Sequence, residues 1–333
     1  MEHGKTNPSG MTLKEIKAPI SGHVKTFEQR FKDSMKSKVP LLDTITRYIV
    51  KRKGKQLRPL FVFFSAELYE GINERTYRAA ALIELLHTAT LIHDDVVDDS
   101  NERRGFFSLN ALWKNKISVL VGDYLLSRGL QLALENDDFD LLKIVTRSVK
   151  EMSEGELLQI EKARSLDVEE DIYFEIIRKK TATLIASCLA CGAASAGATK
   201  EDIKAIQAVG EKIGTAFQIK DDILDLDLSR MKGKPSGVDI KERKMTLPLI
   251  YLINQASYGQ KRKIVNIVKN HNQDEEKVGE LIEMIHQSGG VRYATEKMTQ
   301  YKNEALEMLK SLPDKAAKNS LEQLIEFTIS REN

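Results

Sequence analysis

A chain of 333 residues is long enough for a sizeable core, in one large domain or two smaller ones. Its 51 basic and 49 acidic residues nearly cancel, which excludes a global electrostatic footprint for nucleic acid or an anionic membrane. A hydrophobic content of 41% with 30% charge excludes a disordered chain and describes a soluble, helix-rich globular protein.

Helical periodicity runs through almost the whole chain, and strand signals are nearly absent. Residues 1–11 are polar, lack the apolar centre of a leader peptide and read as a flexible tail, which leaves 12–333 as a single domain. Thr12-Leu13-Lys14-Glu15 is a capping box that opens the first helix. Glu70-Gly71 and Asn136-Asp137-Asp138 read as helix–helix turns. The apolar run 79–92 is interrupted by Glu84 and His87, short of the roughly 20 residues of a membrane span, so no stable membrane insertion is expected. A helix is expected over 119–134 and another over 183–196. The second contains Cys188 and Cys191; with no further cysteine for zinc and no strand–helix context for redox work, they read as small residues on a packing face in a reducing cytoplasm. After a break at Gly197, Thr199 starts another helix, and 213–219 is an apolar, helix-like run. Residues 229–243, with Gly233, Pro235 and Gly237, read as the longest loop, and 270–276 separate a last group of helices. The expected fold is all-α, a single large helical bundle with a central substrate cavity between facing helices.

Two aspartate clusters carry the chemistry: Asp94-Asp95-Val96-Val97-Asp98 and Asp221-Asp222-Ile223-Leu224-Asp225. Each ends an apolar helical run, and the i, i+4 spacing puts Asp94 with Asp98, and Asp221 with Asp225, on one face. Like charges so placed destabilise a helix unless a cation is bound. Oxygen ligands without His or Cys suit Mg²⁺, which joins a few carboxylates to waters and substrate phosphates. Asp95 and Asp99 face away from the first pair, behind it or toward solvent. Cations for a diphosphate are available in Lys55 and Arg58, spaced i, i+3 where a helix can begin, in Arg103-Arg104, in Arg178-Lys179-Lys180-Thr181, and in Lys234 and Lys244.

The segments GKQLRP (54–59), HTATLIHDDVVDDSNERRG (87–105), KKTATL (179–184), FQIKDDILD (217–225) and GKPSGVDIKERKMTLP (233–248) resemble, in order, those of the trans-type isoprenyl diphosphate synthases, particularly long-chain members such as heptaprenyl and octaprenyl diphosphate synthases. The resemblance implies an isoprenoid synthase-like fold, a homodimer, and head-to-tail (1′-4) condensation of isopentenyl diphosphate onto an allylic diphosphate. Three Mg²⁺ ions would bridge the allylic diphosphate to a metal set of Asp94, Asp98, Asp221 and Asp225, with Asp95 and Asp222 beside them in the catalytic machinery. Arg103, Lys180, Thr181, Gln218, Lys234 and Lys244 would attend the allylic substrate; Lys55, Arg58, His87 and Arg104 would hold isopentenyl diphosphate. The released diphosphate is the implied base. One departure is visible: Lys53 and Gln56 stand where the family often has Gly and Arg, while Lys55 and Arg58 remain.

A growing chain must run from the aspartates between the helices that carry them. One turn before Asp94 stand Ala89 and Thr90, where short-chain family members tend to have an aromatic. Both are small, so the tunnel is expected to be open at its top, with Leu86, Ile83 and Leu82 deeper and Leu126 or Leu130 as floor; at about 5.4 Å per turn, roughly six to ten isoprene units are expected. Alternatives stay in view: a geranylgeranyl or farnesyl diphosphate synthase, a partner-dependent subunit of a two-component synthase, and a terpene cyclase. A di-iron bundle protein is a further one, since Glu84-x-x-His87 and Glu283-x-x-His286 share its spacing.

Overall fold

The computed structural model describes residues 10–51, 54–98, 102–103, 106–166, 169–227 and 237–330. The chain opens with α1 (Leu13–Ile16), a 3₁₀ turn (Ala18–Ile20), α2 (Ser21–Ser34), α3 (Pro40–Lys51), α4 (Leu57–Glu67) and α5 (Glu74–Val97). A two-residue antiparallel ribbon, β1 (Glu102–Arg103) with β2 (Phe106–Phe107), pairs Glu102 with Phe107 and Arg103 with Phe106. Then come α6 (Leu109–Leu134), α7 (Phe139–Ser165), α8 (Glu170–Ile177), a π-helical turn (Arg178–Ala182), α9 (Thr183–Ser195) and α10 (Lys200–Asp225). The last third holds α11 (Val238–Lys241), α12 (Leu247–Gln255), α13 (Tyr258–Asn270), α14 (Glu275–Ser288), α15 (Gly290–Lys310) and α16 (Ala316–Ser330).

Local chemistry sets the boundaries. The Glu15 amide donates to Thr12 Oγ1 at 3.3 Å while the Thr12 amide donates to Glu15 Oε2 at 2.7 Å, a reciprocal cap that opens α1. Thr199 caps α10 with its side chain, the hydroxyl accepting from the Asp202 amide at 3.1 Å. The α6–α7 turn has Asp137 at φ +54°, and its buried Asp138 takes Arg75 at 2.9 Å and Arg78 at 2.6 Å, which ties the turn to the start of α5. Lys55 and Arg58 flank the start of α4, the point at which their segment is expected to begin a helix. The expected loop 229–243 is shorter than its composition implied: from Gly237, at φ +69°, the chain re-enters a helical turn, α11.

The bundle is centred on α9, every residue of which is buried, as befits a helix apolar on all sides. Cys188 and Cys191 are packing residues there, and burial pushes both thiols far above the usual value. Around α9 stand α4, α5, α7 and α10, with α6 laid along α5 and α15 along α10. A second apolar cluster joins α12, α13 and α14, and Met298 and Tyr301 of α15 pack against both clusters. This arrangement brings the C-terminal ends of α5 and α10, where the aspartates are, toward the π turn between α8 and α9.

Candidate active site

The first wall is the end of α5. Asp98 caps the helix, its amide donating to the Asp94 carbonyl at 2.8 Å, so the pair stands one turn apart. The charges that Asp98 feels identify what it faces. Its carboxyl is raised above the usual aspartate value, first by partial burial, then by Glu156 of α7 and Glu242, while Lys244 and Lys180 oppose the shift. Lys180 and Lys244 belong to the other side of the site, so the two aspartate clusters address common ground. Asp95 is buried, which removes the solvent-side option for it; Asp99 lies outside the described residues.

The second wall is the end of α10. Asp222 is buried, with Oδ2 accepting from the Tyr173 hydroxyl at 2.7 Å and Oδ1 from Gln218 Nε2 at 2.9 Å. Burial, then the negative charge of Asp239, raises its carboxyl well above the usual range. Asp225 spends both carboxylate oxygens on backbone: Oδ1 accepts from the Val238 amide at 3.1 Å and Oδ2 from the Asp239 amide at 2.9 Å. Its carbonyl also accepts from Gly237 at 2.9 Å, so Asp225 is the anchor of α11. Asp221 lies one turn before it on the partly exposed face.

The cations enter from the π turn and from the segment after α11. Lys180 forms an ion pair with Glu156 and approaches Gln159 Oε1 at 3.4 Å; Thr181 Oγ1 donates to Gln218 Oε1 at 2.6 Å. A π turn widens the helix at this point, a feature frequent at functional sites. Two glycines let neighbours approach it: a Cβ at Gly155 would lie 2.8 Å from Lys179 Cβ, and one at Gly214 only 2.4 Å from Ala182 Cα. Lys244 reaches Asp239 Oδ1 at 3.4 Å and pairs with Glu242; although burial disfavours its charge, these two carboxylates hold its ammonium above the usual lysine value. Lys180, Thr181, Gln218, Asp222, Asp239 and Lys244 together line a cavity of about 220 Å³. Arg103 stands in β1, whereas Arg104 and Lys234 lie outside the described residues.

On the opposite flank, Arg58 Nε donates to Glu84 Oε1 at 2.7 Å, and His87 follows Glu84 by one turn of α5. Lys55 Nζ lies 5.3 Å from the Phe327 ring centroid. Glu84 is therefore the partner of Arg58 rather than an iron ligand. Glu283 is exposed on α14, His286 Nε2 sits 2.8 Å from the Leu226 carbonyl, and among the described residues no three His, Cys, Asp or Glu side chains converge as a metal cage. In the expected tunnel Ala89 is 1% exposed and Leu86 equally covered, while Thr90 and Leu130 are half-buried. Leu82 and Leu86 face Gly129 of α6, whose Cβ would lie 3.4 Å and 3.6 Å from them. Sequence reasoning missed Glu84, Glu156, Tyr173 and Asp239 as site residues. Of these, Asp239 had a signal, standing inside the GKPSGVDIKERKMTLP segment.

Comparison with known proteins closes the question of kinship. The model of a family described as polyprenyl synthetase matches residues 39–285. The chain belongs to the polyprenyl synthetase family. It is 35% identical, over 95% of its length and 97% of the relative's, to an all-trans-nonaprenyl-diphosphate synthase (geranyl-diphosphate specific) of Rhodobacter capsulatus. A short chain isoprenyl diphosphate synthase of Methanothermobacter thermautotrophicus is 34% identical, over 92% of this chain and 95% of that one. Among solved structures, a polyprenyl synthase from Caulobacter crescentus complexed with calcium and isoprenyl diphosphate superposes with a TM-score of 0.89 at 31% identity, covering 99% of both chains. The fold is thus the all-α isoprenoid synthase fold, and the chain is a prenyltransferase that elongates trans-prenyl chains.

Proposed function

We propose that this enzyme condenses isopentenyl diphosphate head-to-tail onto an allylic diphosphate, with Mg²⁺, to make an all-trans polyprenyl diphosphate of roughly six to ten isoprene units. The observation that carries the reading is the position of Asp98, which feels Lys180 and Lys244 from across the site. Two carboxylate walls and the cations between them suit a bound diphosphate and its metal ions. All candidate ligands are hard oxygens, and each wall offers at most two carboxylates on its open face, as expected when substrate phosphates and waters complete the shell of Mg²⁺. Asp94, Asp98 and Asp221 would hold metal, three ions in all, with Asp225 supporting α11. Bound Mg²⁺ supplies Lewis-acid stabilisation of the departing diphosphate.

In the reaction the allylic C1–O bond breaks and its electron pair leaves with the diphosphate. The isopentenyl double bond attacks C1, and a proton is lost from the adjacent carbon to the released diphosphate. Lys180 and Lys244 would orient the allylic diphosphate, while Arg58, steadied by Glu84, would hold the isopentenyl one with Lys55 and His87. Nonaprenyl and short-chain relatives are almost equally similar to this chain, so overall identity does not choose the product; the small Ala89 and Thr90 favour a long one.

The exposed apolar face of α6, with Leu112, Val119, Leu120 and Leu134, supports a homodimer. Among the described residues α6 alone is long and apolar enough to cross a membrane, yet its glycines lie against α5, which favours a packed helix and a cytoplasmic enzyme. Met298 and Tyr301, shared by both apolar clusters, favour reading 12–333 as one domain. The test is product analysis of the purified chain with Mg²⁺, radiolabelled isopentenyl diphosphate and farnesyl diphosphate. A ladder ending at one long prenyl diphosphate is expected. Extension to four units only would refute the length, and no incorporation by the folded chain alone would refute the single-subunit reading.

A further inference from the structure

Along the cavity wall a continuous hydrogen-bond chain crosses three elements. Tyr173 of α8, 3% exposed, donates to Asp222 of α10; Gln218, one turn earlier, donates to the other oxygen of the same carboxylate; and Thr181 of the π turn donates to the Gln218 carbonyl oxygen. The links are short, at 2.7, 2.9 and 2.6 Å. Their polarity is self-consistent. Tyr173 and Gln218 both donate to the Asp222 carboxyl, so Gln218 turns its NH₂ toward Asp222 and its oxygen toward Thr181. The Thr181 hydrogen is thereby committed to Gln218, and the hydroxyl faces other neighbours with lone pairs alone.

Everything in this chain depends on Asp222 keeping one orientation, and a carboxylate on a helix has other rotamers. The group that selects one is the Tyr173 hydroxyl. The Tyr173 ring is fixed by the second apolar cluster and by an edge-on contact with Phe174 at 5.3 Å, and its own helix is stitched to α15 where Tyr293 donates to Glu170 at 2.7 Å. Losing that hydroxyl leaves Asp222 Oδ2 buried without this donor, and the carboxylate then gains by turning toward another donor. The Gln218 amide must follow, and Thr181 with it.

We propose that Tyr173 is a positioning residue for the allylic-diphosphate side of the site, acting through Asp222 to set the orientation of Gln218 and Thr181. The proposal rests on the function given above. It predicts an asymmetry between substrates, because Arg58, Glu84 and His87 stand on α4 and α5, outside the chain.

The test is Tyr173→Phe, which removes one oxygen and keeps the ring. With Mg²⁺ present, the Kd for farnesyl diphosphate by calorimetry and its KM are expected to rise about tenfold, the effect of one hydrogen bond to a charged group. The KM for isopentenyl diphosphate stays within about twofold and the Tm within about 4 °C. In the double variant with Asp222→Asn, Tyr173→Phe adds nothing further to the allylic effect. Unchanged allylic affinity, an equal rise for both substrates, or multiplying effects in the double variant would overturn the proposal. Absence of turnover by the wild-type enzyme would instead overturn the function; the binding comparison still decides the role of Tyr173.

Discussion

Gly155 offers the sharpest test of how the site is held. It stands on α7 where that helix crosses the π turn, and a methyl group there would meet Lys179 Cβ at 2.8 Å and the Lys180 amide nitrogen at 2.9 Å. Ordinary contact begins near 3.4 Å, so Gly155→Ala demands a displacement of roughly half an ångström, and the atoms in the way are backbone or attached directly to it. Overpacking of this kind costs about 1–3 kcal/mol, which lowers Tm by about 1–4 °C in a chain of this size. The displaced atoms carry Lys180, whose ammonium faces Asp98 and Glu156, and a shift of this order costs about 10- to 100-fold in turnover. The assay is incorporation of labelled isopentenyl diphosphate into prenyl product at saturating substrates, alongside a thermal melt. Gly22→Ala is the control, since nothing lies within 4 Å of its would-be Cβ on exposed α2, and it should leave turnover unchanged. Wild-type turnover and melting in Gly155→Ala would refute the claim that this approach positions Lys180.

Glu84→Gln replaces the charged acceptor of Arg58 by a neutral one and should raise the KM for isopentenyl diphosphate about tenfold, with the allylic KM unchanged; steady-state kinetics in both substrates check it. Ala89→Phe should shorten the product by several isoprene units on thin-layer analysis, and an unchanged ladder from a folded variant would sink the tunnel argument. The contribution of Asp222 and Asp239 to stability without ligands should fall as pH rises. Asp222 and Asp239 bind protons more tightly folded than unfolded, mainly because burial disfavours their charge, so their contribution is full below the unfolded value of 3.8 and is lost as pH climbs through the raised folded values. The melting temperature of the wild-type protein measured from pH 4 upward should fall relative to that of Asp239→Asn; a relative rise over the same range would contradict the assignment.

What the sequence made legible follows from distance along the chain. The i, i+4 aspartate pairs, the Thr12 and Thr199 caps and the all-α class depend on contacts within a turn or two, where helical periodicity speaks directly. The first cluster could be placed facing the second only because the matched segments came as a set, and the Asp98 environment agrees. Two-residue strands such as β1 and β2 are too short for any alternation to register, although β1 holds Arg103.

The partners that orient the site were hidden for a different reason. Tyr173 lies 49 residues from Asp222, and Arg58 lies 26 from Glu84; neither separation has a period, and each partner taken alone is an ordinary core or surface residue. Asp225 illustrates the limit most clearly. Its spacing from Asp221 is the same as that of Asp98 from Asp94, so sequence gives the two residues one role. The fold separates them: Asp98 ends its helix in open ground shared with Lys180 and Lys244, whereas the chain after α10 turns back and lays the Val238 and Asp239 amides on Asp225. A carboxylate so engaged loses two backbone hydrogen bonds when it swings to a metal. Under the proposed function the symmetry of the two motifs in sequence resolves into asymmetric duties: Asp94 and Asp98 would both bind metal, whereas Asp221 would bind it and Asp225 would brace α11.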